Sequence, residues 1–242
     1  MISDVSGPIR PIRRGDGASE ALKSEMFEGP VFIESMAQSF SLLATLLNQM
    51  PDAALVEKLR IAGSDCLKLS VENLEEQTGI EQGLQKMSDF IEATADLSEE
   101  EVQNQLAVDW TRLFRGVSPT YGPQPPYEGL FRPDLGDHIT VMQAVKCVYR
   151  GIGVITSDEN ANRPDYLGTE LGFLSFLFQQ TAKAGRAGEP GDARRYADVA
   201  EKFMEEHLSK WVAAFISEAY PHAKTDFYRG VLQLIKVYSS VA

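Results

Sequence analysis

The stretch SEEEVQNQLAVDWTRLFRG, residues 98–116, decides the fold class of this 242-residue chain. Ser98, followed three residues later by Glu101, has the spacing of a capping box, which begins a helix. Gly116 is a helix terminator, because glycine readily takes the left-handed conformation that follows a last helical turn. Between these signals the apolar residues recur at spacings of three and four: Val102, Leu106, Trp110, Leu113 and Phe114. The stretch therefore predicts an amphipathic helix with one buried face.

The same periodicity recurs from residue 32 to the end of the chain, and strand patterns are nearly absent. Asp137, Asp165 and Thr225 are the expected N-caps of three later helices. One long helix is predicted after the glycine-rich segment 185–191, with Pro221 at its end. The sequence thus predicts an all-α fold, a helical bundle of roughly nine or ten helices.

The segments around residues 64–78 and 80–95 each carry a helical apolar pattern. Gly79 and Gly83 lie between the two patterns, and glycine in the middle of a helix is unfavourable. Two separate helices with a boundary near these glycines are therefore expected.

Residues 117–136 form a long mid-chain loop rich in proline and glycine, the only candidate boundary within the chain. The expected organisation is a flexible N-terminal tail over residues 1–30 and an all-helical domain over residues 31–242. Alternatively, the loop joins two halves, residues 31–116 and 137–242.

The composition excludes some classes of partner. A formal net charge of −12 disfavours nucleic acid and anionic membrane surfaces, both of which require a basic face. It favours a basic peptide, although solubility alone also explains it. No apolar run reaches the ~18–20 residues of a membrane span. Cys66 and Cys147 lie far apart, so each is interpreted as a small buried apolar residue rather than part of a disulfide or zinc site.

Catalytic and metal-binding patterns are scarce. The three histidines, His138, His207 and His222, have no spacing typical of zinc hydrolases or di-iron proteins. No nucleophile elbow or phosphate-binding loop is present in the sequence. His207 is interpreted as a hydrogen-bonded structural residue. We therefore expect no catalytic residue, no metal and no cofactor.

Two segments remain as candidates for a binding function, Leu113–Glu128 and Asp165–Glu170. Both combine carboxylates with apolar or aromatic residues beside a loop. Each also has a purely structural explanation: Asp165 as a helix N-cap, and Tyr127-Glu128 as a rigid turn after two prolines. The sequence leaves a peptide-binding groove and these structural roles open as alternatives.

The motifs resemble those of the TorD/DmsD/NarJ group of molybdoenzyme-specific chaperones over about residues 32–242. The residues that carry the resemblance are Leu113-Phe114-Arg115-Gly116, Pro126-Tyr127-Glu128, Pro164-Asp165-Tyr166-Leu167 with Glu170-Leu171, Phe203 to Trp211, and Phe227-Tyr228. Two positions depart from the usual pattern. Gly129 replaces a serine after the glutamate, and Tyr166 replaces a histidine after the aspartate, where the family pair is associated with client recognition.

The resemblance implies a cytoplasmic, TorD-like helical protein that is not an enzyme. It would bind the twin-arginine signal peptide and the apo form of a molybdopterin oxidoreductase catalytic subunit, aid cofactor insertion and delay export. The expected peptide-binding residues are Trp110, Leu113, Phe114, Pro126, Tyr127, Glu128, Asp165, Tyr166 and Glu170.

Three alternatives remain open at this point. The first is an assembly factor for an oxidoreductase that is not exported, which the change at Tyr166 favours. The second is a helical nucleotide-binding protein or enzyme that uses the same loops. The third concerns the oligomeric state, where a monomer is expected and a domain-swapped dimer through residues 117–136 is the alternative.

Overall fold

The computed structural model describes residues 30–62, 74–116, 121–154 and 163–240, and these residues are helical with no strand among them. The all-α prediction is confirmed. Most of the predicted tail and Cys66 lie outside the described residues. The helices are α1 (Pro30–Asn48), α2 (Ala53–Ala62), α3 (Leu74–Ala93), α4 (Glu99–Phe114), α5 (Glu128–Phe131), α6 (His138–Gly151), α7 (Leu167–Ala187), α8 (Pro190–Phe203), α9 (Ser209–Ala219) and α10 (Asp226–Tyr238).

Most of the predicted helix caps are confirmed. Ser98 and Glu101 form the capping box at the start of α4, with the Ser98 N–H donating to the Glu101 carboxylate at 2.9 Å. Asp137 caps α6 by accepting a hydrogen bond from the Thr140 N–H at 2.8 Å. Thr225 caps α10 in the same way. Gly116 follows the end of α4 with a φ of +63°, the left-handed conformation that the sequence predicts.

The expected boundary near Gly79 and Gly83 is wrong, since α3 is one continuous helix through both glycines. The reason is close packing against α10. A Cβ atom added at Gly79 would come within 2.7 Å of Val237 Cγ2, and one at Gly83 within 2.9 Å of the Leu234 side chain. The two helices approach each other through these glycines, so the packing outweighs the low helix propensity of glycine.

The long helix predicted after residue 191 is interrupted. Between α8 and α9 the chain forms a π-helical turn over Met204–Leu208, and a 3-10 turn over Tyr220–His222 contains Pro221. A π-turn widens the helix by one residue and leaves a backbone carbonyl without its usual partner. Arg132 from the mid-chain segment bonds a carbonyl of this turn, donating from Nη1 to Glu206 O at 3.1 Å.

A single buried cluster contains residues from every helix except α5, whose partly buried Phe131 packs against it. Helix α1 packs along α7, and α3 packs along α10. Both pairs join a helix that precedes residues 117–136 to one that follows them. Buried aromatic side chains fill the space between the pairs; Phe40 contacts both Phe178 and Tyr238, for example, with ring centroids 5.6 Å and 5.8 Å apart.

The part of the mid-chain loop that the structure describes is more regular than the sequence indicated. Helix α5 is followed by a 3-10 turn over Pro133–Leu135. Phe131 anchors α5 to α9, since its ring stacks on Trp211 with centroids 5.7 Å apart. The segment from residue 121 is therefore held against the core.

Buried Asp109 ties α4 to the start of α10. Its carboxylate accepts hydrogen bonds from the N–H groups of Lys224 and Thr225 and from the Thr225 hydroxyl, at 2.8–3.1 Å. It also pairs with Arg112 at 2.9 Å. The acid thus satisfies backbone donors at a helix N-terminus that is distant in sequence, a role that sequence spacing does not reveal.

Cys147 is exposed, so the interpretation of this residue as buried is wrong. Helix α6 buries only Val141, Val145 and Tyr149, which are spaced four residues apart. Cys147 falls midway between the last two of these, on the opposite face of the helix.

Candidate functional site

The two candidate segments lie side by side. Tyr127 and Tyr166 form an isolated antiparallel bridge. The Glu128 N–H donates to Asp165 O at 2.8 Å, and the Leu167 N–H donates to Pro126 O at 2.9 Å. The two tyrosine rings also contact each other, with centroids 5.4 Å apart. A short backbone pairing therefore fixes the mid-chain segment to the start of α7.

The carboxylate of Asp165 is fully buried beneath this junction. The Arg163 guanidinium donates to both of its oxygens, from Nε to Oδ1 at 2.9 Å and from Nη2 to Oδ2 at 2.6 Å. The Gly129 N–H also donates to Oδ2, at 3.3 Å. The prediction that Asp165 caps α7 is wrong, because Tyr166 is the N-cap residue and makes no side-chain capping bond. The Arg163 guanidinium and the Gly129 N–H bond the carboxylate instead.

The close packing around position 129 explains why this residue is glycine. A Cβ atom at this position would lie 2.9 Å from His138 Cβ and 3.2 Å from Asp165 Oδ2. A side chain larger than hydrogen would therefore push α6 away from the junction or move the carboxylate. Glycine in place of the serine that the family pattern carries permits the close approach.

Glu128 is the second fully buried carboxylate, and it joins α5 to the π-turn. Its Oε1 accepts from Arg132 Nη1 at 3.1 Å, and its Oε2 lies 2.8 Å from His207 Nδ1. The His207 ring stacks on Phe203 with centroids 4.7 Å apart. Because the π-turn rotates the helix at this point, it directs His207 toward Glu128. His207 therefore has the hydrogen-bonded position that the sequence analysis assigned to it.

Glu170 is the third fully buried carboxyl group. Its Oε2 accepts from Trp211 Nε1 at 3.3 Å, while Oε1 has no donor among the described residues. Burial raises the pKa of Glu170 well above its ordinary value, and the nearby charges of Glu128 and Asp165 raise it further. The neutral acid is thereby favoured in the folded protein.

Tyr166 and Trp110 are anchors between helices. The Tyr166 hydroxyl donates to Leu47 O at 2.8 Å, and Trp110 Nε1 donates to the same carbonyl at 3.2 Å. Burial raises the pKa of Tyr166, so its hydroxyl stays protonated and remains a donor. Tyrosine in place of the family histidine thus links the start of α7 to the end of α1.

The nine residues predicted to bind a peptide occupy one region, and all of them except the half-buried Tyr127 are buried. Leu113 and Phe114 belong to the core, where Phe114 contacts Phe215 and Tyr228. The carboxylates are paired with internal cations or donors. A peptide-binding role for the nine stays a prediction.

The two cations of this region, Arg132 and Arg163, have only weak signals in the sequence. Arg163 is two residues before Asp165, and Arg132 is one helical turn after Glu128. Those spacings are the signal that was available, since residues four apart on a helix are neighbours. The contact between Glu128 and His207 spans 79 positions and has no local signal.

Across the described ranges, no group of three His, Cys, Asp or Glu residues is placed to hold a metal ion. None of the helices in those ranges is long and apolar enough to span a membrane.

The fold and the site define an all-helical protein in which a β-bridge joins two loops above a cluster of buried carboxyl groups. The family profile described as "Nitrate reductase delta subunit" matches residues 73–217, from the start of α3 into α9. The chain belongs to this family of NarJ/TorD-like chaperones, whose members are not enzymes.

Two curated relatives agree with this assignment. The chain is 36% identical over 116 residues to a selenate reductase assembly chaperone protein from Thauera selenatis, which is 47% of this chain and 58% of that protein. It is 34% identical over 89 residues to a chlorate reductase assembly chaperone protein from Ideonella dechloratans, which is 37% of this chain and 45% of that protein. The chain thus spans about half the length of the curated relatives it matches.

Proposed function

We propose that this protein is an assembly chaperone for the catalytic subunit of a molybdopterin oxidoreductase. It binds the apo form of that subunit together with its twin-arginine signal peptide, aids cofactor insertion and delays export. The observation that carries the proposal is the family match over residues 73–217, because this range includes both halves of the bridged junction. The names of the two curated relatives, each an assembly chaperone of a reductase, support the same role.

The charge of the protein suits such a client. A twin-arginine peptide joins two guanidinium groups to an apolar run, and a chain with a net charge of −12 attracts it electrostatically. We place the peptide at the Tyr127–Tyr166 junction and assign its contacts to the nine residues named above. The role requires a cytoplasmic location, where signal peptides are read before export, and we propose a monomer.

The burial of the carboxylates limits how this site can bind an arginine of the peptide. Glu128, Asp165 and Glu170 are 0% exposed, so a peptide guanidinium cannot reach them across an open surface. Tyr127 and Arg163 are partly exposed side chains of this region, one aromatic and one charged. We therefore assign first contact with the peptide to these two side chains.

A second candidate is an assembly factor for an oxidoreductase that is not exported. Tyr166 supports it, because its hydroxyl is bonded to Leu47 O in the interior and leaves no imidazole for a signal peptide. This candidate differs from the first in the fate of the client, which is not exported, and in the part of the client that is bound.

Co-expression with the catalytic subunit of a molybdopterin oxidoreductase from the same organism separates the candidates. The subunit is produced with and without its signal peptide, and complex formation is measured by affinity capture and size-exclusion chromatography. Capture that depends on the signal peptide supports the first candidate, and capture of both forms supports the second. If neither form is captured, while the chain keeps its helical circular dichroism, the chaperone proposal is wrong.

A further inference from the structure

Arg163 sits in a complete guanidinium-binding site made by this chain. Its Nε and Nη2 bond both oxygens of Asp165, as a fork, at 2.9 Å and 2.6 Å. The face of the same guanidinium lies over the Tyr127 ring, with Cζ 4.7 Å from the ring centroid. A bidentate carboxylate and an aromatic face are the two groups that protein sites use to recognise guanidinium.

The two partners differ sharply in exposure. The Asp165 side chain is 0% exposed, whereas the Arg163 side chain is 34% exposed. A buried carboxylate requires a positive partner, because an uncompensated charge in the interior is strongly destabilising. Asp165 therefore needs a guanidinium partner in every state of the protein. The guanidinium that occupies the site, that of Arg163, is partly exposed to solvent.

Two other arginines of the described residues pair with a buried carboxylate, Arg132 with Glu128 and Arg112 with Asp109, and both pairs lack this property. The Arg132 side chain is 9% exposed, and it bonds Glu128, Asp134 and Glu206 O at once. Its removal would break the bond to the π-turn at Glu206 O and the contacts with Glu128 and Asp134.

Arg112 bonds one oxygen of Asp109, which also accepts from the N–H groups of Lys224 and Thr225, so this carboxylate does not depend on its arginine alone. Among the described pairs, Arg163 therefore best suits the exchange of one cation for another.

We propose that Arg163 is an internal stand-in for an arginine of the client, and that a client arginine replaces it on Asp165 and Tyr127 during binding. This inference rests on the proposed function and deepens it. Replacement of one guanidinium by another keeps the charge count and the hydrogen bonds on Asp165 unchanged, so the exchange is nearly balanced. Arg163 competes with the client arginine for the site and so lowers the apparent affinity for the client. A ligand that cannot bond both oxygens of Asp165 does not displace Arg163.

Lysine is rejected on geometric grounds. An ammonium group is a point charge that cannot bond both oxygens in the plane of the carboxylate and also stack flat on the Tyr127 ring. An arginine peptide and its lysine counterpart carry equal charge, so any difference between them reports the site rather than the overall charge of the protein.

The guanidinium site is tested first without a client, by chemical rescue of Arg163→Ala in the full chain. Ethylguanidinium at low millimolar concentration is expected to raise the Tm of this variant more than ethylammonium does. Arg195→Ala is the matched control, because Arg195 is exposed and lies over the Tyr196 ring without a carboxylate. Equal effects of the two cations, or equal effects on the two variants, would overturn the proposed site.

The exchange is tested with Arg163→Gln and a synthetic peptide that carries an arginine pair before an apolar run. This variant is expected to bind about tenfold more tightly than the wild-type chain, because the competing side chain is gone. Arg195→Gln has the same change in charge and should show little gain, and the lysine form of the peptide should not distinguish the variants. If Arg163→Ala loses its helical circular dichroism, Arg163→Lys serves in both experiments.

The outcomes separate the two proposals. Rescue of Arg163→Ala together with unchanged or weaker peptide binding by Arg163→Gln overturns the exchange while leaving the chaperone role intact. Rescue without peptide binding by any variant refutes the signal peptide as the ligand, and the exchange with it. Tighter binding confined to Arg163→Gln and to the arginine peptide supports the exchange.

Discussion

The protonation of buried Glu170 links the site to the stability of the protein. Glu170 lies in the interior beside Glu128 and Asp165, and among the described residues only Trp211 donates to its carboxyl group. Since the neutral form is favoured in the folded protein, the group binds more protons when folded than when unfolded. Stability from this group is therefore fully present below its ordinary pKa of 4.5 and is lost as pH rises toward the raised folded value.

Glu170→Gln should remove this pH dependence, because glutamine stays neutral and its amide can donate to Glu128. As pH rises above the ordinary pKa of 4.5, the free energy of unfolding of the wild type should fall more steeply than that of the variant, by up to about 1.4 kcal/mol per pH unit. Denaturant unfolding at several pH values measures the difference. Glu201→Gln, at an exposed position on α8, is the control. Parallel profiles for the wild type and Glu170→Gln would show that Glu170 is ionised in the folded protein.

At the scale of elements, the crossing of α3 and α10 depends on glycine. A Cβ atom at Gly230 would contact the Gly83 carbonyl oxygen and would lie 2.7 Å from Met87 Cγ. The nearest backbone belongs to the partner helix and cannot move without displacing it. The helices therefore pack backbone against backbone at this point.

Gly230→Ala should lower the free energy of unfolding by about 1–3 kcal/mol, because the added methyl group overpacks the crossing. Gly185→Ala is a matched control in α7, where no atom lies within 4 Å of the added Cβ. This control should gain up to about 1 kcal/mol from the better helix propensity of alanine. Chemical denaturation followed by circular dichroism measures both. Equal effects of the two substitutions would contradict the close crossing.

At the scale of the whole molecule, the helices on either side of residues 117–136 share one buried cluster. Trp110 lies in α4 on one side and Trp211 in α9 on the other. Each tryptophan therefore reports on one of the two halves that the sequence left open.

In Trp211→Phe the fluorescence of Trp110 should follow the same unfolding curve as the helical circular dichroism of that variant, because a shared core unfolds cooperatively. In Trp110→Phe the fluorescence of Trp211 should likewise match the circular dichroism. Both comparisons use denaturant titration. Separate midpoints for fluorescence and circular dichroism within either variant would indicate two independently folding halves.

The sequence by itself determined what depends on local patterns. Periodic apolar residues predicted the helices, and Ser98, Asp137 and Thr225 were identified as caps because a capping bond spans only two or three residues. The family motifs likewise lie within short stretches, and the family they indicated is confirmed.

Only the tertiary structure decided where the polar groups of the site go. The sequence predicts that Glu128 and Asp165 supply charge for a ligand. In the structure, Arg132 and His207 bond Glu128 in the interior, and Arg163 bonds Asp165. The continuity of α3 through its glycines was settled by α10, which lies about 150 positions away. Burial and pairing depend on which distant segments meet, and a pattern read over a few residues contains no information about that meeting.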